Sequence, residues 1–273
     1  MEKIKATATM LTFNNAATVA KSLESVKDFD EVLVLDGGST DGTLELLRRY
    51  GARIEKQSDA PGKISDFTAV RQRSFELAKH DWIFWIDSDE YADDRLLVEL
   101  REAVEHGDAD SAYRVERVPI IDGKIIRFGA LLPDKIVRLV NRKTAHWAKS
   151  KRVHEHVTLD DSVDVIDLQG SMFTPWESLE EYQRRDKYYL GLAFSRPVTR
   201  RPSLYRTVKS ILKNSALAAW LPIKWSYLEV RHGFSTEVMP WAYQWRFSRY
   251  YLAIVKERLK QYLYGRRYVP PTV

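Results

Sequence analysis

The stretch Asp81-Trp82-Ile83-Phe84-Trp85-Ile86-Asp87-Ser88-Asp89-Glu90 constrains the chain more than any other. Five consecutive apolar residues, Trp82 to Ile86, run directly into a carboxylate cluster. So short an apolar run, rich in aromatics and bounded by charge, predicts a buried strand of a parallel sheet. In open α/β sheets ligands bind beyond the carboxyl ends of the strands. Asp87 and Asp89 are thereby placed at an active edge, where hard oxygen ligands can hold a divalent cation against phosphates. The same residues also suit a plain strand-to-helix turn that caps a helix at Arg95–Val104.

The residues on either side decide between these readings. Ile4–Phe13 reads as a first strand, with Ala6, Ala8 and Met10 on one side of the pleat, and Ala17–Val26 follows with helical spacing. Val32–Leu35 is a second buried strand ending at Asp36. It is followed by Gly37-Gly38-Ser39-Thr40-Asp41-Gly42-Thr43 and a helix through Tyr50. A short strand at Arg53–Lys56 and a helix at about Asp66–Lys79 precede the central strand. This alternation predicts a mostly parallel sheet wrapped by helices. After the helix at Arg95–Val104 the pattern becomes antiparallel or mixed. Strands are expected at Ala112–Val118, Ile120–Phe128, Lys135–Val140 and Val163–Leu168, with a hairpin signal at Asp122-Gly123. From Ser178 the chain reads as helical, with one helix to about Phe194, and basic and aromatic stretches follow over about Ser203–Trp220 and Ser235–Leu263.

The 273 residues include no cysteine, which excludes a disulfide framework and a thiolate ligand or nucleophile. Met1 to Ala6 lacks the apolar core of a signal peptide, and no apolar run approaches the ~20 residues that span a bilayer. The sequence reading therefore expects a cytoplasmic protein, peripheral on the inner face of a membrane.

In order and spacing, Thr12-Phe13-Asn14-Asn15, Val34–Thr43 and Trp85-Ile86-Asp87-Ser88-Asp89-Glu90 together resemble family 2 glycosyltransferases with the GT-A fold. The resemblance covers about residues 4–106. Pro133-Asp134-Lys135-Ile136-Val137-Arg138-Leu139, followed by Arg152-Val153-His154-Glu155, resembles more narrowly the branch of lipopolysaccharide-core β-1,4-glucosyltransferases. The resemblance implies a GT-A nucleotide-sugar-binding catalytic domain over 1–175, a Rossmann-like mixed sheet flanked by helices. A helical, basic and aromatic C-terminal region over 176–273 follows it.

The implied roles transfer residue by residue. Asp36 matches the aspartate that hydrogen-bonds the nucleotide base, usually uracil, and Thr12, Phe13 and Asn14 flank the same base. Arg71 matches a basic position facing the nucleotide. Asp87 contacts ribose or metal with Ser88 beside it, and Asp89 is the main ligand of a divalent cation, Mg²⁺ or Mn²⁺. Glu155, in the His-Glu motif, is the candidate base for the acceptor hydroxyl, with Asp134 second. The implied reaction is inverting transfer from a UDP-sugar to a hydroxyl of a surface-glycan or lipid-linked acceptor. Structural alternatives accompany these roles: Asp36 can cap the Gly-rich turn, and Glu155 can pair with Arg152 on an exposed strand. The segment Gly170-Ser171-Met172-Phe173 departs from the pattern, because many GT-A enzymes carry a metal-binding histidine there.

From Arg200 to Val273 the chain holds 14 Lys and Arg against 3 Glu and no Asp, with Trp220, Trp225, Trp241, Trp245 and eight tyrosines. Leu204, Val208, Ile211 and Leu212 recur at helical spacing, interleaved with Arg206, Lys209 and Lys213. Such a basic amphipathic helix can lie in the headgroup plane, or its aromatics can form the core of a helical subdomain. A basic aromatic surface also fits a nucleic-acid acceptor. A protein that kept the fold without catalysis is the third class.

Overall fold

Near-continuous apolar runs in the first hundred residues build the parallel half of one sheet. The computed structural model describes residues 2–57, 67–147, 157–194 and 202–265. The chain divides into two units, Met1–Val118 with Asp134–Pro175 and Pro119–Pro133 with Trp176–Val273.

The first unit opens with β1 (Ile4–Thr12), α1 (Val19–Val26), β2 (Phe29–Asp36), α2 (Thr43–Arg49), β3 (Arg53–Lys56), α3 (Phe67–Leu77) and β4 (Trp82–Trp85). These strands pair in parallel in the order β3-β2-β1-β4. Leu33, Val34 and Leu35 are all fully buried, because helices cover both faces of the sheet. Glu31 ties the strands together. It accepts from Thr7 Oγ1 at 2.7 Å on β1, from Arg53 Nη1 at 3.0 Å on β3 and from the Lys79 amide at 2.6 Å. Burial raises the pKa of this carboxyl, but those three bonds outweigh it and leave the group below its ordinary value.

Beyond β4 follow β5 (Tyr91–Ala92), α4 (Asp94–His106), β6 (Ser111–Ile121), β7 (Lys124–Ile125), β8 (Asp134–Asn141), β9 (Ala145–Trp147), β10 (Val157–Leu159) and β11 (Asp164–Pro175). β8 runs antiparallel to β4, and β6 antiparallel to β8. The full order is β3-β2-β1-β4-β8-β6-β11-β5, with β7 on β6 and a separate β9–β10 pair. This mixed sheet with flanking helices is the GT-A architecture. The expected strand over 120–128 is different in the structure: β6 continues through Ile121 and turns back after two residues. Asp122 (φ 51) and Gly123 (φ 75) both take the left-handed conformation that a two-residue hairpin needs. β5 and β9, of two and three residues, are too short to show a period in the sequence.

The junction of β11 with α4 holds the acidic turn after β4 in place. Asp93 caps α4 by accepting from the Leu96 amide at 2.7 Å, and its other oxygen accepts from the Ser171 amide at 3.0 Å. Glu99 Oε2 accepts from the amides of Gln169 and Gly170 at 2.7 and 2.9 Å. A Cβ on Gly170 would stand 2.3 Å from the Leu96 backbone nitrogen, so only glycine allows this approach.

The second unit carries α5 (Leu179–Phe194), α6 (Leu204–Arg231) and α7 (Trp241–Tyr264). Its core joins Ile121, Ile126, Tyr182, Met239 and Tyr243. Gln244 accepts from the Ala130 amide at 3.0 Å, Lys224 donates to the Ala130 carbonyl at 2.9 Å, and Trp225 donates to the Met239 carbonyl at 2.8 Å. α6 extends beyond the basic aromatic stretch expected to end at Trp220 and contains Pro222; tertiary packing overrides the breaker.

Gly170→Ala is expected to destabilise the protein by about 2–3 kcal/mol, as overpacking against backbone does. Urea unfolding checks this, and a loss below about 0.5 kcal/mol would contradict the close approach of β11 to α4.

Candidate active site

Two loops at the carboxyl ends of β1 and β2 interlock through short polar side chains. Asp36, 6% exposed, directs Oδ1 to the amides of Gly38 and Ser39, both at 2.8 Å. Its Oδ2 accepts from Thr12 Oγ1 at 2.8 Å and Ser39 Oγ at 2.6 Å. Ser39 Oγ in turn accepts from the Asn14 amide at 2.8 Å, and Asn14 Oδ1 accepts from the Thr40 amide at 2.8 Å. Asn14 adopts φ 56, a left-handed conformation that asparagine tolerates. Phe13 donates its amide to Asn15 Oδ1 at 2.8 Å. The result is a rim in which Thr12 bonds Asp36 directly and Asn14 is linked to it through Ser39 Oγ. The four lone-pair directions of Asp36 are all engaged, so its immediate work is to shape the Gly37–Thr43 loop.

The acidic turn lies at the end of β4, the strand beside β1. Asp87 is half-buried. Its Oδ1 accepts from Arg71 Nη2 of α3 at 2.7 Å, and its Oδ2 lies 3.4 Å from Arg138 Nη2 of β8. Arg138, 2% exposed, donates to Glu90 Oε2 at 2.6 Å, and Glu90 is 1% exposed. Glu90 also accepts from Thr174 Oγ1 at 3.2 Å and from the Asp87 amide at 3.2 Å, and its Oε1 lies 3.9 Å from Arg117 Nη1. Burial favours the neutral form of Asp87, but Arg71, Arg138 and then Arg117 outweigh it and hold the carboxyl well below its ordinary range. Burial raises the pKa of the Glu90 carboxyl, Arg138 opposes this, and the Asp87 charge reinforces it.

Asp89 is exposed and Ser88 buried in the same turn. Asp134 opens β8 and accepts from Arg117 Nε at 3.1 Å and Nη2 at 2.5 Å. Arg71 also stands over the Trp147 ring, 5.5 Å from its centroid, within the cluster of Trp147 with Phe75 and Trp85. The structure thus joins Thr12, Asn14 and Asp36 in one network, and Arg71 and Asp87 in another. Glu155, with Arg152, His154 and His156, lies outside the described residues. Sequence reasoning missed Arg138, Glu90 and Arg117. The available signal was an arginine in the alternating apolar strand Ile136-Val137-Arg138-Leu139, since a buried cation there requires a carboxylate partner.

The donor set for a divalent cation is oxygen only. Among the described residues no group of three or more His, Asp or Glu side chains is arranged to hold a metal ion. Mg²⁺-type sites, however, use one or two carboxylates with phosphate oxygens completing the shell. Asp87 is committed to two guanidinium groups, and Asp89 of the same turn is exposed. The residues present fit a cation shared with a diphosphate.

The segment that builds this edge is matched by a family model: the chain is a member of glycosyl transferase family 2, whose model matches residues 7–144. Among its relatives is the lipopolysaccharide core biosynthesis glycosyltransferase LpsC of Rhizobium meliloti. The two are 28% identical over 191 residues, 68% of this chain and 69% of LpsC. An uncharacterized glycosyltransferase of Rickettsia felis is 32% identical over 177 residues, 60% of this chain and 57% of that protein. The chain thus spans only part of the length of these relatives. A solved structure of S. aureus TarS 1–349 with UDP-GlcNAc aligns with a TM-score of 0.44 at 15% identity, over 93% of this chain and 82% of that fragment.

Arg138→Met leaves Glu90 buried without its cation and is expected to cost about 3–5 kcal/mol in chemical denaturation. Arg138→Met with Glu90→Gln should recover a good part of that loss. A single-variant cost under about 1 kcal/mol would contradict the buried pair.

Proposed function

We propose that the chain transfers a sugar from a UDP-sugar to a hydroxyl of a lipid-linked or surface-glycan acceptor, with inversion, at the cytoplasmic face of a membrane. The observation that carries the donor half is the joint placement of Asp36, Asn14, Asp87 and Asp89 at the carboxyl ends of three adjacent parallel strands. That edge is where α/β sheets bind nucleotides. The rim formed by Thr12, Phe13, Asn14 and Asp36 takes the uracil base, and Asp87 and Ser88 line the ribose and diphosphate side beside Arg71. The acceptor half is supported by the similarity to LpsC, a lipopolysaccharide core enzyme by name.

The reaction is a single displacement. The acceptor oxygen bonds to the anomeric carbon on the face opposite the diphosphate, and its proton passes to a carboxylate base. The bond from that carbon to the phosphate oxygen breaks with its electron pair, releasing UDP. Asp89, with Asp87 nearby, would hold a Mg²⁺ or Mn²⁺, which when bound supplies positive charge against the leaving diphosphate. Arg71 and Arg138 fix Asp87 as an anion, so the turn keeps its charge and shape throughout. Glu155 is the proposed base and Asp134 the second candidate, its carboxylate direction fixed by Arg117.

Asp89→Ala is expected to retain the fold by circular dichroism and lose transfer at least ~100-fold, in the range that removal of one electrostatic group produces. Glu155→Gln should keep UDP affinity by calorimetry and lose transfer. Full turnover in Asp89→Ala would refute the site; transfer kept in Glu155→Gln but lost in Asp134→Asn would move the base to Asp134.

A further inference from the structure

α6 and α7 are hydrophobically inverted. The buried side chains of α6 are Thr207, Asn214, Ala218 and Leu221, and those of α7 are Tyr243, Gln244, Ser248, Glu257 and Gln261. Most are polar. The exposed side carries the opposite chemistry. Along α6, positions 205, 208, 212, 216, 219, 223, 227 and 230 follow one another at intervals of three or four and form one stripe. They are Tyr, Val, Leu, Ala, Ala, Ile, Tyr and Val, every one of them exposed. Leu212 is 65% exposed, Ile223 60% and Val230 75%. The stripe is about 37 Å long at the helical rise. On α7 the exposed Trp241, Trp245, Leu252, Leu259 and Leu263 repeat the pattern. A helix hairpin in water normally buries its apolar stripe and exposes its polar one.

The charges around these stripes are of one sign. Arg206, Lys209, Lys213 and Arg231 on α6, and Arg249, Lys256 and Arg258 on α7, are exposed, and no acidic residue of either helix is. Glu229 is half-buried, and Glu257 is buried and bonded to Lys260. At the tip between the helices Phe234 is 77% exposed and held at φ 57, a conformation bulky residues rarely adopt. No helix among the described residues is long and apolar enough to cross a membrane.

We infer that the outer face of α6 and α7 docks in the headgroup plane of an anionic lipid bilayer. Leu212, Ile223, Trp220 and the tip residue Phe234 enter the acyl boundary, and the flanking lysines and arginines meet the lipid phosphates. A second copy of the chain is the weaker occupant, since pairing two such faces would set basic edges against basic edges with no acid to relieve them. The inference deepens the reading of a lipid-linked acceptor and rests on it only for its biological setting; the exposure and charge of the two helices carry it.

The test is sedimentation of the full chain with vesicles of phosphatidylcholine alone or mixed with phosphatidylglycerol, without nucleotide, alongside size-exclusion light scattering. The expected result is binding to the anionic vesicles, little binding to the neutral ones, and release by salt. Leu212→Glu with Ile223→Glu, both on the exposed face, should abolish binding with unchanged circular dichroism. Lys209→Glu with Lys213→Glu should lower partitioning roughly tenfold or more. No binding to anionic vesicles would overturn the inference, as would binding unchanged in both double variants. A dimer lost in Leu212→Glu with Ile223→Glu, without vesicle binding, would assign the face to a second copy instead. Binding to a single-stranded oligonucleotide but not to vesicles would assign it to nucleic acid. UDP binding is measured separately, so failure of the donor assignment leaves the vesicle result standing.

Discussion

The buried pair of Glu90 with Arg138 is the constraint on which the site depends. Both side chains are almost fully enclosed, and a lone charge of either sign in that position would cost several kcal/mol. The pair therefore forms only if the turn after β4, strand β8 and the end of β11 at Thr174 are all in place. It converts the packing of three elements into one fixed position for the Asp87–Glu90 turn. Because Arg138 also approaches Asp87, the same contact that locks the turn keeps its first aspartate ionised.

This arrangement divides the labour between the carboxylates. Glu90 is enclosed with Arg138, Asp87 is held by two arginines, and Asp89 is exposed in the same turn, where the proposed cation and its phosphates would meet it. A comparable division operates at the ends of β1 and β2, where Asp36 organises a loop through four short contacts and Asn14 and Ser39 form the rim. In each case a buried polar group is satisfied by neighbours that the parallel strands deliver to one edge. The antiparallel half of the sheet contributes Arg117, Asp134 and Arg138 from the opposite direction, so cations from β6 and β8 meet anions of the turn after β4.

Much of this was legible in the sequence, for identifiable reasons. The parallel strands announced themselves as apolar runs ending in Asp36 and Asp87, and the Gly-rich turn after Asp36 marked the loop. Helices of eleven residues or more, such as α3 and α4, had patterns long enough to read. Two-residue β5 and three-residue β9 had none. The role of Arg138 was hidden, because its partner Glu90 lies 48 residues away and only the antiparallel pairing of β4 with β8 brings them together. The exposure of Trp220, Trp241 and Trp245 was hidden as well: composition favoured burying such residues, and only the fold shows that α6 and α7 bury their polar sides instead. Glu155 lies outside the described residues, and its role rests on the His-Glu motif alone.

The central claim is that the edge formed by β1, β2 and β4 binds a nucleoside diphosphate together with a divalent cation. Its most direct test is thermal stabilisation of the full chain by UDP, with Mn²⁺ or with chelator present. Binding to the folded state alone raises stability by about 2.7 kcal/mol at a ligand concentration one hundred times Kd. The account predicts a clear rise in Tm with UDP and Mn²⁺ that falls sharply with chelator. No rise with UDP or any other nucleotide, in a sample that unfolds cooperatively, would contradict it.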